Sequence, residues 1–79
     1  MGLASTEAEL AEKAARFLKA ELKRANVTYE ELAKRLTEHG LTETKASIAN
    51  KLSRGTIAAT LFLATLASLE MEGMRLEDL

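Results

Sequence analysis

The sequence predicts an all-helical protein, a compact bundle of four or five short helices, and three observations lead to this fold class. Proline is absent and glycine occurs only four times, so little in the chain interrupts a helix. Apolar residues recur at intervals of three and four along several segments, which is the period of a helix with one buried face. A chain of 79 residues has room for one hydrophobic core. We therefore expect residues 1–79 to form a single domain, with residues 1–6 as a flexible start.

The first helix is predicted over residues 6–25. Its charged residues fall on one side and its apolar residues on the other, as in an amphipathic helix that packs against a core. Asn26 is a suitable stop, because asparagine tolerates the left-handed conformation that ends many helices. The apolar face comprises Leu10, Ala11, Ala14, Phe17, Leu18, Leu22 and Ala25.

The start of the second helix carries the clearest local signal in the chain. Thr28 and Glu31 have the spacing of a capping box, in which each side chain accepts a hydrogen bond from the backbone amide of the other residue. Val27 and Leu32 stand where a hydrophobic staple belongs. We expect this helix to begin directly after Thr28 and to end at Gly40, since glycine readily adopts the conformation of a helix end.

The third helix is predicted between a threonine cap and a terminal glycine. Either Thr42 or Thr44 can accept hydrogen bonds from the free amides of the helix start, and Gly55 can end the helix. The inward face is expected to comprise Ala46, Ile48, Ala49 and Leu52.

The fourth helix is predicted over residues 57–70, after Thr56, and it is apolar on nearly all sides. The run is too short to span a bilayer, which takes about 20 apolar residues. We expect it to be the central core helix and also a homodimer interface, because exposed apolar surface favours association. The expected patch includes Leu61 and Phe62, with Thr60, Thr65 and Ser68 at its rim. A short turn or strand is expected to follow and to pack through Met74, Leu76 and Leu79.

Charge is distributed unevenly along the chain, although the formal net charge is only −1. Residues 13–54 contain ten basic and five acidic side chains, whereas the remaining residues contain one arginine and seven carboxylates. The near-neutral total argues against a strongly basic nucleic-acid-binding protein. The basic middle of the chain, however, can form a local positive surface.

The composition offers no catalytic or metal-binding site. Cysteine is absent and His39 is the single histidine, so neither a thiolate zinc site nor a histidine metal cage is expected, and no cofactor is predicted. His39 is expected in the last turn of the second helix, where a cation is favoured, and no nucleophile pairs with it, so we predict no enzyme activity. The N-terminal residues lack the cationic head and apolar run of a secretory signal, which favours a cytoplasmic location.

Two stretches of the chain resemble a known family. Residues 28–36, TYEELAKRL, and residues 47–55, SIANKLSRG, followed by an apolar helix, are similar to the phage repressor and Cro-like family of helix-turn-helix domains. The resemblance covers residues 27–79 and implies a lambda-repressor-like fold, DNA binding and a role in transcriptional regulation. The connection at residues 37–44 is several residues longer than the tight turn of that family.

The whole chain also resembles a short bacterial domain of unknown function. This second resemblance rests on the blocks ELKR at residues 21–24, VTYEELAKRL at residues 27–36 and ETKASIANKLSRG at residues 43–55. It implies no activity.

The first resemblance implies a set of DNA-contacting residues on the third helix and at the start of the second. Asn50 is the most specific of them, because a carboxamide can pair bidentately with adenine. Lys45 and Lys51 fit guanine acceptors or phosphates, and Arg54 fits a phosphate. The expected partner is double-stranded DNA, and the full set is Thr28, Tyr29, Lys45, Ser47, Asn50, Lys51 and Arg54.

Two other interpretations fit the same residues. Lysine, asparagine and serine on an exposed helix commonly do no more than solvate its surface. Glu30, Glu31 and Glu43 lie near the expected contact surface, where carboxylates repel a DNA backbone. The alternative function is a protein-interaction or homodimerisation module that uses residues 57–70 and does not bind DNA.

Overall fold

Helices make up all the regular structure of residues 6–79, which are the residues that the computed structural model describes. The predicted all-helical bundle is confirmed. Its elements are α1 (Glu7–Arg24), α2 (Tyr29–Thr37), α3 (Lys45–Arg54), α4 (Ala59–Ser68) and a short 3₁₀-helix (Leu76–Asp78).

The ends of α1 lie where the sequence places them. Thr6 is the N-cap, and its hydroxyl accepts a hydrogen bond from the Glu9 amide at 3.1 Å. Asn26 has a φ of 59°, so it supplies the left-handed stop after the helix. Of the predicted flexible start, residues 1–5 lie outside the described residues.

α2 begins as predicted, with half of the expected capping box. The Thr28 hydroxyl accepts from the Glu31 amide at 3.1 Å. The Glu31 carboxylate, predicted to reach back to the Thr28 amide, instead accepts from Arg35 Nε at 3.1 Å, one turn further along the helix. The start of α2 is thus held by the threonine, while the glutamate stabilises the exposed face of the helix.

α2 proper ends at Thr37, and Gly40 closes its C-terminal end as predicted, since the Gly40 amide donates to the Thr37 carbonyl at 3.0 Å. Residues 38–40 form a turn, which places His39 beyond the helix and exposed to solvent. Gly40 has a φ of 82°, and the next residue, Leu41, donates its amide to the Leu36 carbonyl at 3.1 Å. The connection from α2 to α3 therefore covers residues 38–44, longer than the turn of about three or four residues in a helix-turn-helix motif.

The hydrophobic core receives one face from each of the four helices. α2 packs on α3 and α4, and α1 packs on the same two helices. The predicted staple residues Val27 and Leu32 both lie in this core. Its largest fully buried side chains are Leu18, Leu32, Leu36, Ile48 and Thr65.

α4 is shorter than predicted, and its sides differ from one another. It spans Ala59–Ser68, whereas residues 57–70 were expected to be helical. Leu61, Thr65 and Ser68 are buried in the monomer, so their predicted places in a dimer patch or at its rim are wrong. Phe62 is half-buried and stacks on Phe17, with the ring centroids 6.3 Å apart.

The C-terminal segment packs beside α1. Met71, Met74 and Leu79 pack against the core, and residues 76–78 form the 3₁₀-helix. Leu76, which was expected to pack, is 63% exposed. Within residues 6–79, no helix combines the length and the apolarity that crossing a bilayer requires.

Candidate nucleic-acid interface

The outward face of α3 is open to solvent. Ile48 and Leu52 are buried and hold the opposite face of the helix on the core. Lys45, Asn50 and Arg54 are exposed, and no ion pair within residues 6–79 engages Lys45 or Arg54. These three predicted contact residues are therefore accessible together on one helix.

The open stripe of α3 consists mostly of small side chains. Ala46, predicted to face inward, is exposed, and Ala49 is half-buried. With Asn50 and Ser53, they repeat at intervals of three and four and so share one side of the helix. α3 contains no acidic residue, so this stripe presents a helix with little side-chain bulk and no negative charge of its own.

The start of α3 is fixed by a reciprocal cap. The Thr44 hydroxyl accepts from the Ser47 amide at 3.0 Å, and the Ser47 hydroxyl accepts from the Thr44 amide at 2.8 Å. The Ser47 hydroxyl also donates to Glu43 Oε1 at 2.6 Å. Of the two threonines considered as caps, Thr44 takes the role, and Ser47 is committed to contacts within the protein.

Lys51 is held by the same carboxylate. Its ammonium donates to Glu43 Oε2 at 2.6 Å, and the Glu43 side chain is only 9% exposed against 39% for Lys51. Burial disfavours the charged form of Glu43, but hydrogen bonds from Lys51 and Ser47, together with the charge of Lys51, hold the pKa of this carboxyl below its ordinary value. The positive charge of Lys51 is therefore already neutralised by Glu43 within the protein.

The start of α2 forms a separate part of the predicted interface. Thr28 is exposed and Tyr29 is half-buried, with its ring packed against the core. Glu30 and Glu31, both exposed, follow directly in the first turn. These carboxylates satisfy the helix dipole, and they also make this end of α2 repulsive to phosphates.

The pairing of Glu43 with Lys51 was not predicted from the sequence. The sequence placed Glu43 near the expected DNA-contacting surface, but the two residues are eight positions apart and Glu43 precedes the helix. A helical neighbour rule covers intervals of three and four only. The one local signal is the Thr44 cap, which turns the preceding residue back along α3.

A second polar surface lies between α2 and the end of α4. The Arg35 guanidinium donates to the Ser68 carbonyl at 2.9 Å and links the two helices. The surrounding depression of about 310 Å³ is lined by acidic residues and the histidine, namely Glu31, Glu38, His39 and Glu70. Among the described residues, no group of three such side chains is arranged to hold a metal ion.

Comparison with known proteins replaces the first resemblance with a different assignment. A family model described as Domain of unknown function (DUF6471) matches residues 2–74. No curated protein and no solved structure gives a significant match. The expectation of a phage repressor or Cro-like domain is therefore wrong, in keeping with the long connection between α2 and α3. The chain belongs to the DUF6471 family, a domain of unknown function.

Proposed function

We propose that this protein binds double-stranded DNA in a sequence-dependent manner, as transcriptional regulators do, with α3 in the major groove. The observation that carries the proposal is the exposed carboxamide of Asn50 on a helix that has basic residues and no acidic ones. The major groove is about 12 Å wide and admits an α-helix. α3 has ten residues, which corresponds to a length of about 15 Å.

Asn50 is the base-reading residue in this proposal. A carboxamide both donates and accepts, so it pairs bidentately with N6 and N7 of adenine. The neighbouring exposed residues Ala46 and Ser53 are small, which favours a close approach of the helix backbone to the base edges. Lys45 and Arg54, at the two ends of α3, neutralise phosphates on either side.

The remaining predicted contacts have smaller parts. Ser47 holds the helix start and Lys51 is paired with Glu43, so neither is available without breaking a contact within the protein. Thr28 and Tyr29 stand beside two carboxylates at the start of α2. The proposal therefore concentrates recognition on Lys45, Asn50 and Arg54 rather than on the full predicted set.

Fluorescence anisotropy with labelled random duplexes at low salt tests the proposal, followed by selection of the preferred sequence. We expect binding that weakens with salt, and a changed sequence preference for Asn50→Ala. Lys34→Ala is the matched control, because Lys34 is an exposed helical residue outside the proposed interface. Absence of duplex binding at low salt contradicts the proposal.

A second candidate function is homodimerisation through α4, and the exposure of Leu63 favours it. Leu63 is 63% exposed on a helix without charged residues, and Thr60 and Ala67 share its face. A twofold dimer places a patch against its own copy, so an uncharged patch avoids like-charge contact. A second copy of this chain is therefore the occupant that this face fits.

Sedimentation velocity over a concentration series tests the dimer. We expect Leu63→Lys to shift the chain to monomer, since it places two like charges near the twofold axis. Leu76→Lys is the matched control, because Leu76 is also 63% exposed but lies outside α4. A wild-type protein that stays monomeric throughout the series excludes this function.

A further inference from the structure

We infer that the cleft between α1 and the end of α3 binds a phosphodiester of the DNA backbone, so that α1 grips the strand beside the groove that α3 enters. This α1–α3 cleft has a volume of about 430 Å³. The inference rests on the proposed function of α3 and adds a second contact site on a different helix.

Three cations from two helices line the cleft. Arg16 and Lys19 come from α1, and Arg54 comes from the last turn of α3. One carboxylate, Glu12, also lines the cleft, and it pairs with Arg16 at 3.1 Å. The cleft thus has a net positive charge, and Lys19 and Arg54 make no ion pair within residues 6–79.

Lys19 has no carboxylate beside it at helical spacing. Its helical neighbours at intervals of three and four are Ala15, Arg16, Leu22 and Lys23, two of which are also cationic. Like charges at this spacing destabilise a helix. An anion bound at Lys19 offsets the repulsion between Lys19 and its cationic neighbours Arg16 and Lys23.

Lys34 shows the ordinary arrangement for comparison. It is exposed on α2, and its neighbours at intervals of three and four include Glu30, Glu31 and Glu38. The helix itself therefore supplies the countercharge for Lys34, as it does not for Lys19. Arg54 is in the last turn of α3, where the helix dipole accounts for a cation, so Lys19 is the more diagnostic of the two cleft residues.

The walls of the cleft are formed mainly by small residues, which lets a nucleic-acid backbone approach closely. α1 contributes Ala8, Ala11 and Ala15, whose side chains are single methyl groups, and α3 contributes Ser53 and its terminal Gly55. Small walls let a phosphate group come within reach of cations at the rim. A phosphodiester needs charge and hydrogen-bond donors without base-specific groups, and the lysine and arginine side chains provide these.

The salt dependence of duplex binding tests the cleft. We measure anisotropy titrations from 50 to 200 mM salt for the wild type, Lys19→Gln, Arg54→Gln and the control Lys34→Gln, after circular dichroism shows that each variant is folded. The slope of log affinity against log salt is negative, and each lost phosphate contact reduces its magnitude by about 0.9. We expect that loss for the two cleft variants and an unchanged slope for Lys34→Gln.

The outcomes separate this inference from the proposed function. Duplex binding with the wild-type slope in Lys19→Gln overturns the cleft and leaves the role of α3 intact, because Lys19, unlike Arg54, is absent from the proposed α3 interface. An equal loss of slope in Lys34→Gln also overturns the cleft, because it shows a general effect of charge. Absence of binding by the wild type overturns both.

Discussion

The Glu43 carboxylate accepts a hydrogen bond from the Lys51 ammonium at 2.6 Å and ties the connection before α3 to the second turn of that helix. The same carboxylate accepts from the Ser47 hydroxyl. One nearly buried glutamate therefore fixes the angle at which the chain enters α3 and also removes one positive charge from its open side. Removing the charge of Glu43 is therefore expected to lower the stability of the fold but to strengthen the proposed DNA binding.

Glu43→Gln is expected to lower the free energy of unfolding at pH 7 by roughly 1 to 3 kcal/mol, since it weakens a charge-assisted hydrogen bond at a mostly buried site. Urea denaturation measures this change. Glu72→Gln is the control, because Glu72 is exposed outside the helices. Equal effects of the two substitutions contradict the stabilising role of Glu43.

The contribution of Glu43 to stability is expected to depend on pH. The folded pKa of this carboxyl is lowered, so its contribution is complete above the ordinary pKa of about 4.3 and declines as the pH falls through the folded pKa. The difference between wild type and Glu43→Gln should therefore shrink below about pH 4.3. A difference that grows on acidification has the wrong sign for this account.

The same variant is expected to bind duplex DNA more tightly, under the proposed function of α3. Glu43→Gln removes a negative charge beside the groove-facing helix and releases Lys51 for a phosphate. Anisotropy titrations at one salt concentration measure the change, with Glu72→Gln again as the control. Weaker binding by folded Glu43→Gln contradicts the charge-masking role of the carboxylate.

Replacing Gly40 or Gly55 by alanine is expected to lower the free energy of unfolding, because both glycines have a positive φ. Gly40 and Gly55 have φ values of 82° and 70°, and a left-handed conformation costs a residue with a Cβ atom about 1–2 kcal/mol. A methyl group at Gly55 would meet the Ala11 Cβ at 3.4 Å, whereas one at Gly40 meets nothing within 4 Å. We therefore expect Gly55→Ala to destabilise at least as much as Gly40→Ala.

Thermal and urea unfolding of the two variants test this expectation, with Gly73→Ala as the control. Gly73 has open space around it and no positive φ, so alanine is tolerated there. A destabilisation by Gly73→Ala that matches Gly55→Ala would show that backbone conformation is not the cause.

Leu61 and Leu63, two residues apart on α4, are expected to respond differently to truncation. Leu61 is 4% exposed, so Leu61→Ala should cost about 2–5 kcal/mol through lost burial and a cavity. Leu63 is 63% exposed, and Leu63→Ala should change the unfolding free energy of the monomer by less than about 0.5 kcal/mol. Urea denaturation at low protein concentration measures both changes. A large effect of Leu63→Ala under these conditions contradicts the exposure of Leu63 in the monomer.

Helix starts were predictable from the sequence where a side chain caps them. Thr28 was predicted as a cap and Thr44 as one of two candidates, and each accepts a hydrogen bond from an amide three residues on. Thr6 caps α1 in the same way, although it was not singled out as a cap. The start of α4 was missed because its N-cap, Ala58, makes no side-chain hydrogen bond. The C-terminal end of α2 was predictable from Gly40, which adopts the left-handed conformation that closes the last turn.

The candidate site was predictable only in its exposed members. The hydrophobic period of α3 places Ile48 and Leu52 inward, and Asn50 outward follows from that period. The pairing of Glu43 with Lys51 and the placement of Lys19 and Arg54 along one cleft depend on how separate segments pack in space. Spacing along the chain carries no information on such contacts.

The separation of the basic α1–α3 cleft from the acidic depression between α2 and α4 has a kinetic consequence. A molecule with a net charge of −1 gains nothing from its total charge when it approaches a polyanion. The field of the polyanion nevertheless exerts a torque on an unevenly charged molecule and turns its positive side forward before contact. Under the proposed function, productive encounters with DNA are therefore selected by orientation during diffusion, and this rotational steering fades as added ions shorten the range of the field.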